Sequence, residues 1–177
     1  MPDAPGLELI RGEIENDHPG AVLDTSFDRG QPALIVDSEQ LLAVLGWLRD
    51  APGHEYRFLS SLHAADYLPA EPRFGVHYEL LNRDRVERLR VKAMLGDPSA
   101  ADGAGDDLPE IDSCVELFPT ADFQEREVFD FFGIVFRGHP NLTRILMPED
   151  YVGWPQRRDF PVGGEPVTFT YNERRYG

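Results

Sequence analysis

Apolar and polar positions along the chain change period several times, and each change marks an element. Ala33-Leu34-Ile35-Val36 is a short apolar run of strand character. Asp37 follows as a cap, with Gln40 at the third helical position. Leu41, Leu45 and Leu48 then recur at helical spacing, Leu42 and Val44 widen the face, and Pro52-Gly53 ends the helix. Three alternating segments come next. Tyr56, Phe58, Ser60 and Leu62 form one face of the first; Phe74, Val76, Tyr78 and Leu80 one face of the second; Leu89, Val91, Ala93 and Leu95 one face of the third. Arg73, Gly75, His77 and Glu79, then Arg88, Arg90, Lys92 and Met94, fall on the opposite, wetter face. Such alternation predicts antiparallel strands covered on one side, with Asn82-Arg83-Asp84-Arg85 as a hairpin connection.

Beyond the strands the pattern weakens. Residues 96–112 are acidic, rich in Gly, Ala and Pro, and read as a mobile loop. Ser113–Phe118 is apolar without a clear period. Asp122 and Glu125 have capping-box spacing, Phe123, Val128, Phe131 and Phe132 point mostly inward on a helix, and Gly133 stands where a C-terminal glycine belongs. Ile134-Val135-Phe136 reads as a strand. The pattern divides the chain into an acidic extension over 1–32 without sustained period, an α+β domain over 33–147, and a tail over 148–177. Pro148, Gly153, Pro155, Pro161, Gly163, Gly164 and Pro166 forbid long regular structure in the tail. It nevertheless holds Tyr151, Trp154, Phe160, Phe169, Tyr171 and Tyr176, six of the chain's 19 aromatics. Disordered tails are poor in aromatics, so this one docks, either on a partner or back on its own domain.

Composition narrows the function classes. The 177 residues suit one domain and a sizeable core. No run approaches the ~20 apolar residues of a bilayer span, and no secretory leader pattern opens the chain. The net charge of −15 disfavours phosphate-backbone binding through the bulk surface. Residues 137–177 differ, with six arginines against five acids. One cysteine, Cys114, supplies neither an intrachain disulfide nor the thiolates of an iron–sulfur cluster. Ser60, Ser61, His63 and Asp66 are near one another in sequence but lack a nucleophile elbow, so a polar strand end is the better reading. No metal-ligand spacing and no phosphate loop is present. Glu125, Arg126, Glu127 and Asp130 share one helix, either as a solvated acidic face or as an ion-pairing surface with Arg126 as its planar fork.

These last residues also carry a resemblance. The stretch containing Glu125, Arg126, Glu127, Asp130, Phe131, Phe132, His139, Ile145 and Leu146 resembles a family signature. That family is the thirty-kilodalton subunit of respiratory complex I, also called the C subunit of NADH-quinone oxidoreductase. Thr143 departs from the signature, standing where a basic residue or proline is usual, with Arg144 beside it. A second block, Gly153-Trp154-Pro155-Gln156-Arg157-Arg158-Asp159-Phe160-Pro161, is similar to another family motif, with Trp154 in place of His and Arg158 in place of Lys. Ala65-Asp66-Tyr67 and Glu71-Pro72-Arg73-Phe74 are family-like as well, and the likeness spans roughly 33–168. Trp154 is also similar to plastoquinone-reducing relatives, and membrane-bound hydrogenases carry related subunits.

The resemblance implies a two-layer α+β sandwich with a mixed, largely antiparallel sheet, helices on one face and an extended irregular C-terminal tail. It implies a non-catalytic scaffold in the peripheral arm of a proton-translocating NADH:quinone oxidoreductase. There the family packs on the forty-nine-kilodalton (D) subunit, at the cytoplasmic face of a bacterial plasma membrane, and the resemblance favours the partner-docking reading of the tail over 148–177, laid along that subunit. Flavin, iron–sulfur clusters and quinone are expected on partner subunits and none on this chain. The expected partner interface is Glu125, Arg126, Glu127, Asp130, His139, Arg144, Trp154, Arg157, Arg158, Asp159 and Phe160. The class rival is a free-standing hydrolase or transferase using His63 and Asp66 or the 125–130 carboxylates.

Overall fold

A computed structural model describes residues 2–98 and 107–161. Helix α1 (Ala4–Asp17) opens the chain, followed by strands β1 (Val22–Asp28) and β2 (Gln31–Val36). A 3-10 turn (Ser38–Gln40) leads into helix α2 (Leu41–Asp50). Strands β3 (Phe58–Asp66), β4 (Phe74–Asn82) and β5 (Glu87–Leu95) come next, then β6 (Glu110–Asp112), helix α3 (Ala121–Phe132) and β7 (Val135–Arg137). The main sheet has the order β1-β2-β5-β4-β3. Only its β2–β5 pair is parallel, so the sheet is mixed and largely antiparallel as expected. β6 and β7 form a separate parallel pair.

The period-two reading holds for β4 and β5. Phe74, Val76, Tyr78, Leu80, Leu89, Val91 and Ala93 are fully buried, and they meet Leu41, Val44, Leu45 and Leu48 of α2 in one core. Fully burying a large apolar side chain contributes roughly 1.5–3 kcal/mol, so this layer dominates stability. In β3 an irregularity between Leu59 and Ser61 shifts the register. Leu59 and Leu62 are therefore the buried pair, and Phe58 is only half-buried. A one-residue bulge reverses which face each side chain joins, which an unbroken alternation cannot register.

The segment over 1–32 is not an extension. Asp3 caps α1 through its carboxylate, which accepts from the Gly6 amide, and Pro5 sits in the first turn. Leu7, Ile10 and Ile14 form a helical stripe buried in the common core. Trp47 Nε1 donates to Asp17 at 2.7 Å, tying α1 to α2. The stripe was hidden by the acids and glycines around it, since three apolar positions suffice for a helix lying on a sheet edge.

The loop expectation for 96–112 is also revised in part. Asp97 is buried, and Glu110–Asp112 form β6; residues 99–106 lie outside the described part. Among the described residues no helix is long and apolar enough to cross a membrane.

Candidate functional site

Helix α3 and the segment after β7 form one polar assembly. Val128 and Phe132 of α3 are buried, as expected, but Phe123 is 63% exposed. The helix is capped by Thr120 without a side-chain bond, so Asp122 and Glu125 do not form a capping box. Gly133 ends the helix in the left-handed conformation, φ +69°, the position a glycine favours.

Glu125 turns into the core. Its carboxylate accepts from Ser113 Oγ at 2.6 Å and from the Cys114 amide at 2.8 Å. Burial pushes its pKa up, against the pull of those two bonds. His139 closes the other side. Its Nε2 donates to the Asp122 carbonyl at 3.1 Å, and its Nδ1 accepts from the Asn141 amide at 3.0 Å.

Asp130 is the centre of the assembly. It is fully buried and receives Arg144 Nη1 at 2.7 Å on one oxygen. Its other oxygen accepts three successive backbone amides, Ile145 at 3.1 Å, Leu146 at 2.7 Å and Met147 at 2.8 Å. Those bonds hold its pKa below the ordinary carboxylate value although burial opposes them. Arg126 clasps the same segment through the carbonyls of Thr143 and Arg144, both at 3.1 Å. Arg144 also donates to Gly153 O at 3.0 Å and stacks 4.7 Å from the Trp154 ring centroid.

The strap of residues 148–161 continues along the domain. Trp154 packs edge-on to Phe129 with ring centroids 5.3 Å apart. Arg157 Nε donates to the Phe132 carbonyl at 2.7 Å, and the Gln156 amide donates to Phe131 O at 3.1 Å. The Arg158 amide donates to Asp66 at 2.8 Å. Asp159 pairs with Arg73 at 2.7 Å, and Phe160 stacks on Tyr151. Of the two readings open for the tail, folding back on its own domain describes residues up to 161. Phe169, Tyr171 and Tyr176 lie outside the described part.

Arg73 is the residue whose importance the sequence concealed. Alternation assigned it to the wet face, yet it is buried and pairs with Asp66 at 2.8 Å, Asp97 at 2.7 Å and Asp159. Its guanidinium and the amides of Leu68 and Arg158 hold Asp66 down at about 2 against its burial. Three acids from distant parts of the chain converge on one cation, and only the folded topology brings them together.

Glu127 differs from its neighbours on α3. It is exposed, makes no hydrogen bond or ion pair among the described residues, and lines a groove with Leu62, His63 and Phe131. The hydrolase reading finds no support in geometry. Asp66 is committed to Arg73 and to the amides of Leu68 and Arg158, while Ser61 Oγ lies 3.4 Å from His63 Nδ1. Among the described residues no group of three or more His, Cys, Asp and Glu could hold a metal ion.

Fold and site define a two-layer α+β domain in which one helix end and one strand end clamp an irregular C-terminal strap. Residues 34–166 match the family model described as "Respiratory-chain NADH dehydrogenase, 30 Kd subunit". The chain is 47% identical to the NADH-quinone oxidoreductase C subunit of Herpetosiphon aurantiacus over 82% of its length and 80% of the relative's. It is 45% identical to the subunit of the same name from Roseiflexus castenholzii, over 89% of this chain and 85% of that one. A chain in the structure of the membrane-bound sulfane sulfur reductase, an archaeal respiratory membrane complex, shares the fold at a TM-score of 0.66 and 22% identity. That likeness covers 87% of this chain and 85% of the other. The chain belongs to the family of the respiratory-chain NADH dehydrogenase 30 Kd subunit.

Proposed function

We propose that the chain is a non-catalytic scaffold subunit in the peripheral arm of a proton-translocating NADH:quinone oxidoreductase, packing on the forty-nine-kilodalton subunit beside the quinone-binding module. In this reading it carries no flavin, iron–sulfur cluster or quinone; partner subunits carry them, at the cytoplasmic face of the bacterial plasma membrane. Relatives named as C subunits of NADH-quinone oxidoreductase support the assignment to such a complex.

The observation that carries the scaffold role is the state of Asp130. An acid poised for proton transfer needs an open side and a pKa near the working pH. Asp130 instead has both oxygens filled by Arg144 and three amides, with its pKa depressed. Glu125 is likewise enclosed by Ser113 and Cys114. The charged groups of the signature shape a surface. The outer side of the strap and of the segment leading into it, where Val152 and Leu146 are 88% and 60% exposed, is the proposed contact with the forty-nine-kilodalton subunit. Arg126, Arg144, Trp154 and Arg157 then act on the partner indirectly, by holding that strap.

The test is to tag the chain in its native host, solubilise membranes gently and identify what co-purifies. A large assembly with flavin and iron–sulfur absorbance and NADH:quinone activity is expected. Hydrogenase subunits without a flavin module would move the role to a sister complex. A lone 20.0 kDa species that never meets the membrane fraction would overturn the reading.

A further inference from the structure

Helices cover one face of the main sheet. The other is open to solvent at Arg88 but roofed in part by Tyr67, whose ring lies against Gly75 and Lys92 and whose hydroxyl meets His77, so that Gly75 and His77 are buried. Pairing across the open face places Ile35, Lys92, His77 and His63 in one row and Ala33, Arg90, Glu79 and Ser61 in the next. Leu81 stands opposite Arg88 in a third. β5 thus presents three cations, Arg88, Arg90 and Lys92, to this face. Arg90 is paired with Glu79. Arg88 and Lys92 make no ion pair among the described residues; the Lys92 ammonium lies 4.2 Å from the Tyr67 ring centroid instead.

This is unexpected in a chain with 32 acids and 17 bases. Beyond Glu79, the strands of this face carry Asp24 and Asp28, on β1 at the far side of β2, and Glu127 of α3 stands beside His63 at the β3 edge. His63 and His77 add no positive charge at neutral pH, because burial lowers both, His77 to about 3. The outer face of β3, β4 and β5 therefore carries three cations against one carboxylate. Half-buried Ile35, Leu81 and Met94 lie among them. A mixed apolar surface with unmatched positive charge suits a partner that brings carboxylates and apolar groups together.

We infer that the open face of β3, β4 and β5 docks an acidic segment of a partner subunit, whose carboxylates meet Arg88 and Lys92 and whose apolar groups cover Ile35, Leu81 and Met94. The inference rests on the proposed membership of a multisubunit complex and adds a second surface to the strap. An anionic lipid surface would also meet these cations, but the net charge of −15 repels it.

Lys92 is the sole lysine, which makes the test specific. The intact complex, purified through the tagged chain, is treated with a zero-length carbodiimide coupler and digested. An amide between Lys92 and an Asp or Glu of another subunit is expected, and it should vanish in Lys92→Arg. In parallel, Arg88→Glu with Lys92→Glu should lower incorporation into the complex about tenfold in a salt-dependent manner. Arg11→Glu with Arg29→Glu, the same charge change away from this face, should not. Arg88→Gln with Lys92→Gln gives the milder version should the reversal disturb folding. A complex that forms normally with these variants and yields no Lys92 cross-link overturns the inference while leaving the scaffold role intact. Anionic vesicles captured by the wild-type chain and not by the Gln variant, without a cross-link, would overturn it in favour of lipid. Failure of the wild-type chain to co-purify with any assembly overturns both readings.

Discussion

The indole of Trp154 occupies the space that a side chain at position 133 would need. A Cβ built on Gly133 falls 2.5 Å from Trp154 Cε2 and 2.6 Å from Cδ2. Gly133 also holds φ +69°, which an L side chain tolerates poorly. Gly133→Ala is therefore expected to lower stability by about 2–4 kcal/mol, from backbone strain plus overpacking. Trp154→Ala removes the clash but not the strain. The double variant should thus be less destabilised than the sum of the singles, by ~1 kcal/mol or more. Urea denaturation of the four proteins measures this, and strict additivity would show that the strap is not seated on Gly133.

Asp130→Asn should cost about 2–4 kcal/mol, because it leaves the half-buried Arg144 without its counter-charge and weakens the bonds to three amides. The effect should be local as well as global. Hydrogen exchange at Ile145, Leu146 and Met147 should accelerate more than exchange in β4, since those amides end on the altered group. Uniform acceleration would mean that the strap and the sheet open only together.

The pH dependence of stability follows from Asp66. Its pKa falls from 3.8 to about 2 on folding. A carboxylate with a depressed folded value stabilises above its unfolded pKa, and that stability is lost as pH falls through the folded one. Between about pH 4 and 2 the chain should weaken. Asp66→Asn should be less stable at neutral pH and show a shallower decline across that window. Glu125 works the other way. Its raised pKa means that folding favours the protonated acid, so its contribution is lost as pH rises through its folded value. Denaturation midpoints from acid to neutral pH separate the two, and an unchanged slope in Asp66→Asn would contradict the assignment.

These groups explain what could be read in the sequence. Period-two alternation marked β4 and β5 because every residue of one face enters the core. α2 was legible from Leu41, Leu45 and Leu48, and the end of α3 from Gly133. α1 was not legible, because its stripe has only Leu7, Ile10 and Ile14. Arg73 was misassigned because burial of a cation depends on where its acids lie. Asp66, Asp97 and Asp159 are 7, 24 and 86 residues away from it. Likewise Glu125 and Asp130 appeared as charges on a helix surface, whereas their partners arrive from Ser113 and from Arg144–Met147. Local pattern gives the elements, and long-range polar pairing is a property of the closed fold.

Cys114 is buried, and burial raises its thiol pKa far above the ordinary value. Reactivity belongs to the thiolate, so an alkylating or disulfide reagent should label native protein far more slowly than protein in denaturant. The single cysteine makes the kinetics unambiguous. Labelling as fast as for a free thiol would show that Ser113–Phe118 opens readily.

The strap gives the sharpest contrast between truncations. Deleting 162–177 leaves every strap contact described above in place and supplies the reference chain. Deleting 148–177 removes Trp154 from Gly133, Arg157 from the Phe132 carbonyl and Asp159 from Arg73. Arg73 keeps Asp66 and Asp97, so its charge stays compensated and the sheet core is untouched. The shorter chain should therefore still melt cooperatively but several degrees lower, since ~1 kcal/mol shifts a domain of this size by roughly 2–4 °C. It should also bind an apolar dye more strongly, because the surface around Phe129, Phe131 and Gly133 is bared. Equal melting temperatures for the two truncations would mean that the strap adds no stability to the domain and is held in place only by a partner.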